Sequence, residues 1–255
     1  MPLPPPPPRH THTHLHETPD LPLCCSPSRW SRADLLQVLR LPGCATPTAT
    51  TFDHSFTLGP NLRLFFFDSQ GSSKSEHDGV APAAVAGYEQ LSATAALRDE
   101  AARGVVGLGY FHIPLREFGD DDARIVAGHL DALAEMRPEG FSGRMIGCPK
   151  ENTGLYDAMR RESNVLSVFV GHDHYHDAVM RKADGGPFLC YGRVTAFSPP
   201  ADFEGAGGAL PFQRGGRVVE VSEGGAVETW VVTVDGEEPE SRTVLAQGDA
   251  QRGRL

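Results

Sequence analysis

Val165-Leu-Ser-Val-Phe-Val-Gly-His-Asp-His174 is apolar for six residues save Ser167, then turns abruptly polar. The β-branched, nearly unbroken apolar run reads as a strand covered on both faces, the kind found inside a parallel sheet. Gly171 lets the chain turn, and His172 and His174 follow. Two residues apart in extended chain, their imidazoles point to one side and Asp173 to the other. Gly104-Val-Val-Gly-Leu-Gly-Tyr-Phe-His112 has the same form, a buried strand that stops at a histidine. In an open α/β sheet ligands gather where strands end at their carboxyl side. His112, His172 and His174 are therefore candidate metal ligands, since neutral imidazoles are usual ligands of zinc, iron and manganese. A lone His-x-His is also what a hydrogen-bonded loop looks like, and His112 on a second strand end is what raises the pair above that.

The flanking chain alternates helix and strand. Ser31-Arg32-Ala33-Asp34 has a capping-box pattern, and Leu35, Leu36, Val38 and Leu39 form a helical stripe closed by Pro42-Gly43. Phe52 to Leu58 and Asn61 to Asp68 read as two strands about Gly59-Pro60, with a polar loop from Gly71 to Gly79. A helix is expected from Val85 to Arg103, and a second through Met136 opened by Asp120-Asp121-Asp122, where negative charge suits the helix dipole. A short helix is expected from Thr153 to Ser163, and strands at Phe188–Tyr191, Arg217–Val221 and Val227–Val234. This order predicts an α/β fold with a late antiparallel element.

Residues 1–29 read differently, with six prolines among the first eight positions and His10, His12, His14 and His16 alternating with other residues. Such a leader buries too little to order itself, although alternating histidines can chelate a soft divalent ion. The domain is expected over 30–235, followed by a polar, frayed tail over 236–255.

Composition narrows the function. Of 255 residues 40% are hydrophobic and 22% charged, enough to build a core. The formal net charge of −10 argues against a protein that coats nucleic acid, which needs clustered Lys and Arg. No apolar stretch is long enough for a membrane span. Cys24, Cys25, Cys44, Cys148 and Cys190 include no C-x-x-C pair, which excludes a zinc ribbon. Compartment is not readable.

Two stretches carry a specific likeness. Gly109-Tyr-Phe-His-Ile-Pro-Leu-Arg-Glu-Phe118 and Ser167-Val-Phe-Val-Gly-His-Asp-His174 resemble the fourth and fifth signature blocks of the calcineurin-like metallophosphoesterases. They are most similar to the purple-acid-phosphatase-like branch, of the probable inactive type. Leu64-Phe-Phe-Phe-Asp-Ser69, Leu189-Cys-Tyr-Gly192 and Glu151-Asn152-Thr153-Gly154 resemble further segments of that branch. The resemblance implies a phosphoesterase β-sandwich flanked by helices, and a phosphatase that uses two divalent ions (iron, zinc or manganese) on a phosphate ester. It implies His112 and His172 as ligands of the second metal and His174 as a ligand of the first. Arg116 stands where the branch usually has proline, either near a substrate anion or as a solvated loop charge.

The family's earlier blocks, Asp-x-His, Gly-Asp-x-x-Asp and Gly-Asn-His-Asp/Glu, have no counterpart before His112. Leu15-His16-Glu17 comes nearest to the third, with leucine in place of asparagine. The chain thus resembles the second half of the family's fold. It is expected to hold at most one ion, to be incomplete or inactive as a phosphatase, and to leave the faces of its apolar strands uncovered. The alternative is a non-catalytic binding or scaffold descendant of the same fold.

Overall fold

The computed structural model describes residues 53–70, 79–130, 146–174, 176–195, 213–234 and 240–248. Among these residues ten strands form two sheets: β1 (His54–Leu58), β2 (Leu62–Phe66), β3 (Val106–Tyr110), β4 (Arg124–Ala127), β5 (Ser167–Val170), β6 (Val179–Arg181), β7 (Phe188–Tyr191), β8 (Gly215–Val221), β9 (Val227–Thr233) and β10 (Glu240–Ala246). The larger sheet has the order β1-β2-β3-β5-β7-β6-β4, and the smaller β10-β9-β8. Parallel pairs β2–β3, β3–β5 and β5–β7 make the centre of the larger sheet. Antiparallel pairs flank it on both sides. Among the described residues the helices are α1 (Pro82–Ser92), α2 (Ala95–Ala102) and α3 (Leu155–Glu162). This is the α/β architecture the apolar strands predict.

Alternation along the strands divides the core in two. Phe65, Phe67, Val168, Val170, Leu189 and Tyr191 pack with Tyr88 of α1 and with Leu155, Tyr156 and Met159 of α3. On the opposite face Val106, Leu108, Phe169 and Cys190 pack with Val227 and Leu245 of the smaller sheet. Each large apolar side chain so buried contributes roughly 1.5–3 kcal/mol. The central strands are therefore covered on both faces, contrary to the expectation that they stand bare. Helices cover one side, and the late antiparallel element covers the other. The row of aromatic rings Phe56, Phe66 and Tyr110, stacked at 5.8 and 5.4 Å between centroids, stays only partly buried.

Three expectations need correction. Asp120 and Asp122 do not open a helix. A single 3-10 turn, Arg116–Gly119, precedes them, and the chain then runs extended as β4. Both carboxylates instead meet the Lys182 ammonium, with Asp122 at 3.0 Å, and β4 pairs antiparallel with β6. The helix expected from Val85 to Arg103 is two helices, broken where the Thr94 hydroxyl caps α2 by accepting from the Leu97 N–H at 3.4 Å. The tail is not frayed throughout, because Glu240–Ala246 pairs with β9 and buries Leu245. The leader, the capping-box helix and most of the Gly71–Gly79 loop lie outside the described residues, as do residues 131–136 of the second expected helix. Among the described residues no helix is long and apolar enough to cross a membrane.

Candidate functional site

The two histidine-bearing strand ends are adjacent because β3 and β5 are parallel neighbours in register, Tyr110 opposite Phe169. The pairing continues past both strands. Phe111 N–H donates to the Phe169 carbonyl at 3.2 Å, and Gly171 N–H to the His112 carbonyl at 3.1 Å. His172 then takes a left-handed backbone, φ 61°, which swings its side chain back across the sheet end. His112 Nε2 and His172 Nδ1 lie 3.4 Å apart, with the rings edge to face at 84°.

Both rings can direct a nitrogen at one point. Two ligands on a tetrahedral ion with bonds near 2.0–2.1 Å lie about 3.3 Å from each other, so this spacing suits one shared ion. Partial desolvation of its ring pushes the His112 pKa below the usual imidazole value, and the nearby His172 and His174 push it the same way; Asp173 opposes them. These effects favour the neutral form of His112, the form that binds a metal. His174 is half-buried and close enough to act on the charge of His112, but it does not complete a three-ligand set. Among the described residues no group of three or more His, Cys, Asp or Glu is arranged to hold a metal ion. The pair fits one ion, and the residues described do not fit the family's two-metal centre.

Asp173, the carboxylate nearest the pair in sequence, is turned to other work. Both of its oxygens accept from the Gly147 N–H at 3.1 Å, and Oδ2 accepts from the Tyr191 hydroxyl at 2.7 Å. The loop that carries Gly147 is tied from below. Arg116 donates to the Lys150 carbonyl, which assigns this charge to holding a loop. Asn152 Nδ2 donates to Glu117 Oε1 at 2.6 Å, while Glu117 Oε2 is buried with no hydrogen-bond partner. Burial raises the Glu117 pKa above the ordinary carboxylate range. Gly147, Tyr191, Glu117 and Asn152 were missed as members of this assembly, although three of the four stand inside stretches that carry the family likeness. No spacing rule marks them, because their partners lie 18 to 35 residues away along the chain.

An open groove of about 520 Å³ adjoins His112, lined also by Phe66, Tyr110, Phe111, Phe169 and Gly171. The buried Arg193 and the half-buried Arg217 are engaged elsewhere. Arg193 pairs with Asp177, and Arg217 Nε donates to the Tyr191 carbonyl at 2.6 Å. Cys190 is fully buried and its thiol is pushed up to about 12, which makes it a packing residue.

No family model matches the chain. Over 115 residues it is 35% identical to probable inactive purple acid phosphatase 29 of Arabidopsis thaliana, a stretch that covers 45% of this chain. The matched stretch spans 24% of that relative's own length. What the chain has in common with known proteins is thus a partial, purple-acid-phosphatase-like relationship.

Proposed function

We propose that this chain is a phosphoesterase-type module in which the His112–His172 pair holds a single divalent ion weakly, beside a phosphate ester, without hydrolysing it. The observation that carries the reading is the convergence of the two imidazole nitrogens at 3.4 Å on neighbouring strand ends. In the chemistry of the family, two ions polarise the phosphoryl group and supply the attacking hydroxide. The residues here bind and orient: the surroundings of His112 favour its neutral form, and His172 faces it across the sheet end. Nothing among these groups supplies a bridging carboxylate, since the Asp173 oxygens are already engaged by Gly147 and Tyr191. The relative's designation as probably inactive agrees with this.

A second reading, a binding or scaffold module without metal, is favoured by the same commitment of Asp173. Assay of an aryl phosphate with zinc, manganese or iron separates these from an active phosphatase. The chain and its His112→Ala and His174→Ala variants are expected to give the same background rate. Loss of several kcal/mol of metal stabilisation removes orders of magnitude, at roughly 1.4 kcal/mol per tenfold. Metal-dependent turnover abolished by both substitutions would overturn the proposal.

A further inference from the structure

We propose that Tyr191 and Gly147 are positioning residues for the histidine pair: by fixing the Asp173 carboxylate they hold His172 in the left-handed conformation that turns its imidazole onto His112. The proposal rests on reading that pair as the ligand site, but its geometry can be tested without a metal. His172 has φ 61°, a region that residues other than glycine seldom occupy without support from their surroundings. Hydrogen bonds on its neighbour supply support. Asp173 N–H donates to the Gly171 carbonyl at 2.8 Å, and the Asp173 carbonyl accepts from His176 N–H at 3.2 Å. Its carboxylate takes the Gly147 and Tyr191 donors described above.

Both donors are themselves fixed. The Tyr191 ring is buried on β7, in edge contact with Phe118 at 4.9 Å and with His176 at 5.0 Å, so its hydroxyl has one place to be. Gly147 brings its N–H to the carboxylate only because it lacks a side chain. A Cβ there would lie 2.6 Å from His172 Cδ2 and 2.7 Å from Asp173 Oδ1. The Gly147 backbone is thus in contact with both the anchor and the imidazole it positions.

The test uses the full chain in metal-free buffer with labelled histidine. Ring-to-ring nuclear Overhauser contacts between His112 and His172 are expected in the unaltered chain and are expected to vanish in Tyr191→Phe. Contacts of ring 191 with Phe118 and the melting temperature should be nearly retained, which a merely structural role would not produce. Asp173→Ala, which removes the anchored carboxylate itself and adds no atom near the His172 ring, should displace the His172 resonances in the same way, and it decides the matter if Tyr191→Phe does not fold. In a second arm, on chains that also carry His10→Ala, His12→Ala, His14→Ala and His16→Ala so that the leader takes up no metal, Zn²⁺ affinity should fall about tenfold in Tyr191→Phe, as for other residues that orient a ligand. Retention of the His112–His172 contact in both variants, or its absence from the unaltered chain, would overturn the proposal. If the unaltered chain shows the contact but binds no zinc, the ligand-site reading fails, and loss of the contact in the variants still establishes the positioning.

Discussion

At the level of single residues, the site is two imidazoles brought together and one acid turned away from them. His112 and His172 were legible because each follows an apolar run that can only be a buried strand. Their closeness was less so: it depends on β3 and β5 being direct neighbours, and on the left-handed turn at His172. The role of Asp173 was hidden, since its partners Gly147 and Tyr191 lie far along the chain. Glu117 was hidden for the same reason, and it gives a prediction. Burial is the largest cause of its raised pKa, so the folded state favours the protonated form. The sign follows from linkage: the stabilising effect is complete below the unfolded carboxyl pKa and is lost as pH rises through the higher folded value. Glu117→Gln keeps the shape without the ionisation. It should raise the melting temperature at pH 7.5, by about 2–4 °C for each kcal/mol recovered, and change it much less at pH 4.5. An equal loss of stability at both values would show that the carboxyl is needed for its geometry alone.

At the level of elements, apolar content identified the central strands and failed at the margins. Leu62–Phe66, Val106–Tyr110 and Ser167–Val170 are strands where the apolar runs place them. Asp120-Asp121-Asp122 misled because an acidic cluster suits a helix start equally well as an ion pair. The Lys182 ammonium that claims two of these carboxylates lies about 60 residues on, beyond any local pattern. β10 escaped because only one of its faces is covered: Leu245 is 6% exposed beside Val244 at 49%. The glycines of β3 explain how its helical face closes. A Cβ on Gly107 would stand 1.9 Å from the Asn164 carbonyl oxygen, where the chain passes over the strand before β5. Gly107→Ala must push that backbone away. Overpacking of this kind costs typically 1–3 kcal/mol, and more where backbone must shift, so chemical denaturation should show a loss of at least about 3 kcal/mol. A loss under about 1 kcal/mol would mean that the Asn164 segment gives way freely.

Across the whole molecule, helices, the seven-stranded sheet and the three-stranded sheet are stacked so that the two strand ends open at one rim. The sandwich explains why the apolar strands tolerate their surroundings, and the row Phe56, Phe66 and Tyr110 is only partly buried among the described residues. Self-association through this row and the adjoining edge strand β1 is expected. Phe56→Lys should reduce the larger species seen in light scattering; an unaltered distribution would place the contact elsewhere. The partial likeness to a purple acid phosphatase and the pairing, among the described residues, of two imidazoles both bear on metal capacity. The most direct measurement is the number of divalent ions retained per chain, by elemental analysis after equilibration with zinc and gel filtration. It is made on the full chain carrying His10→Ala, His12→Ala, His14→Ala and His16→Ala, so that the leader cannot scavenge metal. At most one weakly held ion is predicted, removed by His112→Ala or His172→Ala; two tightly retained ions per chain would contradict the account.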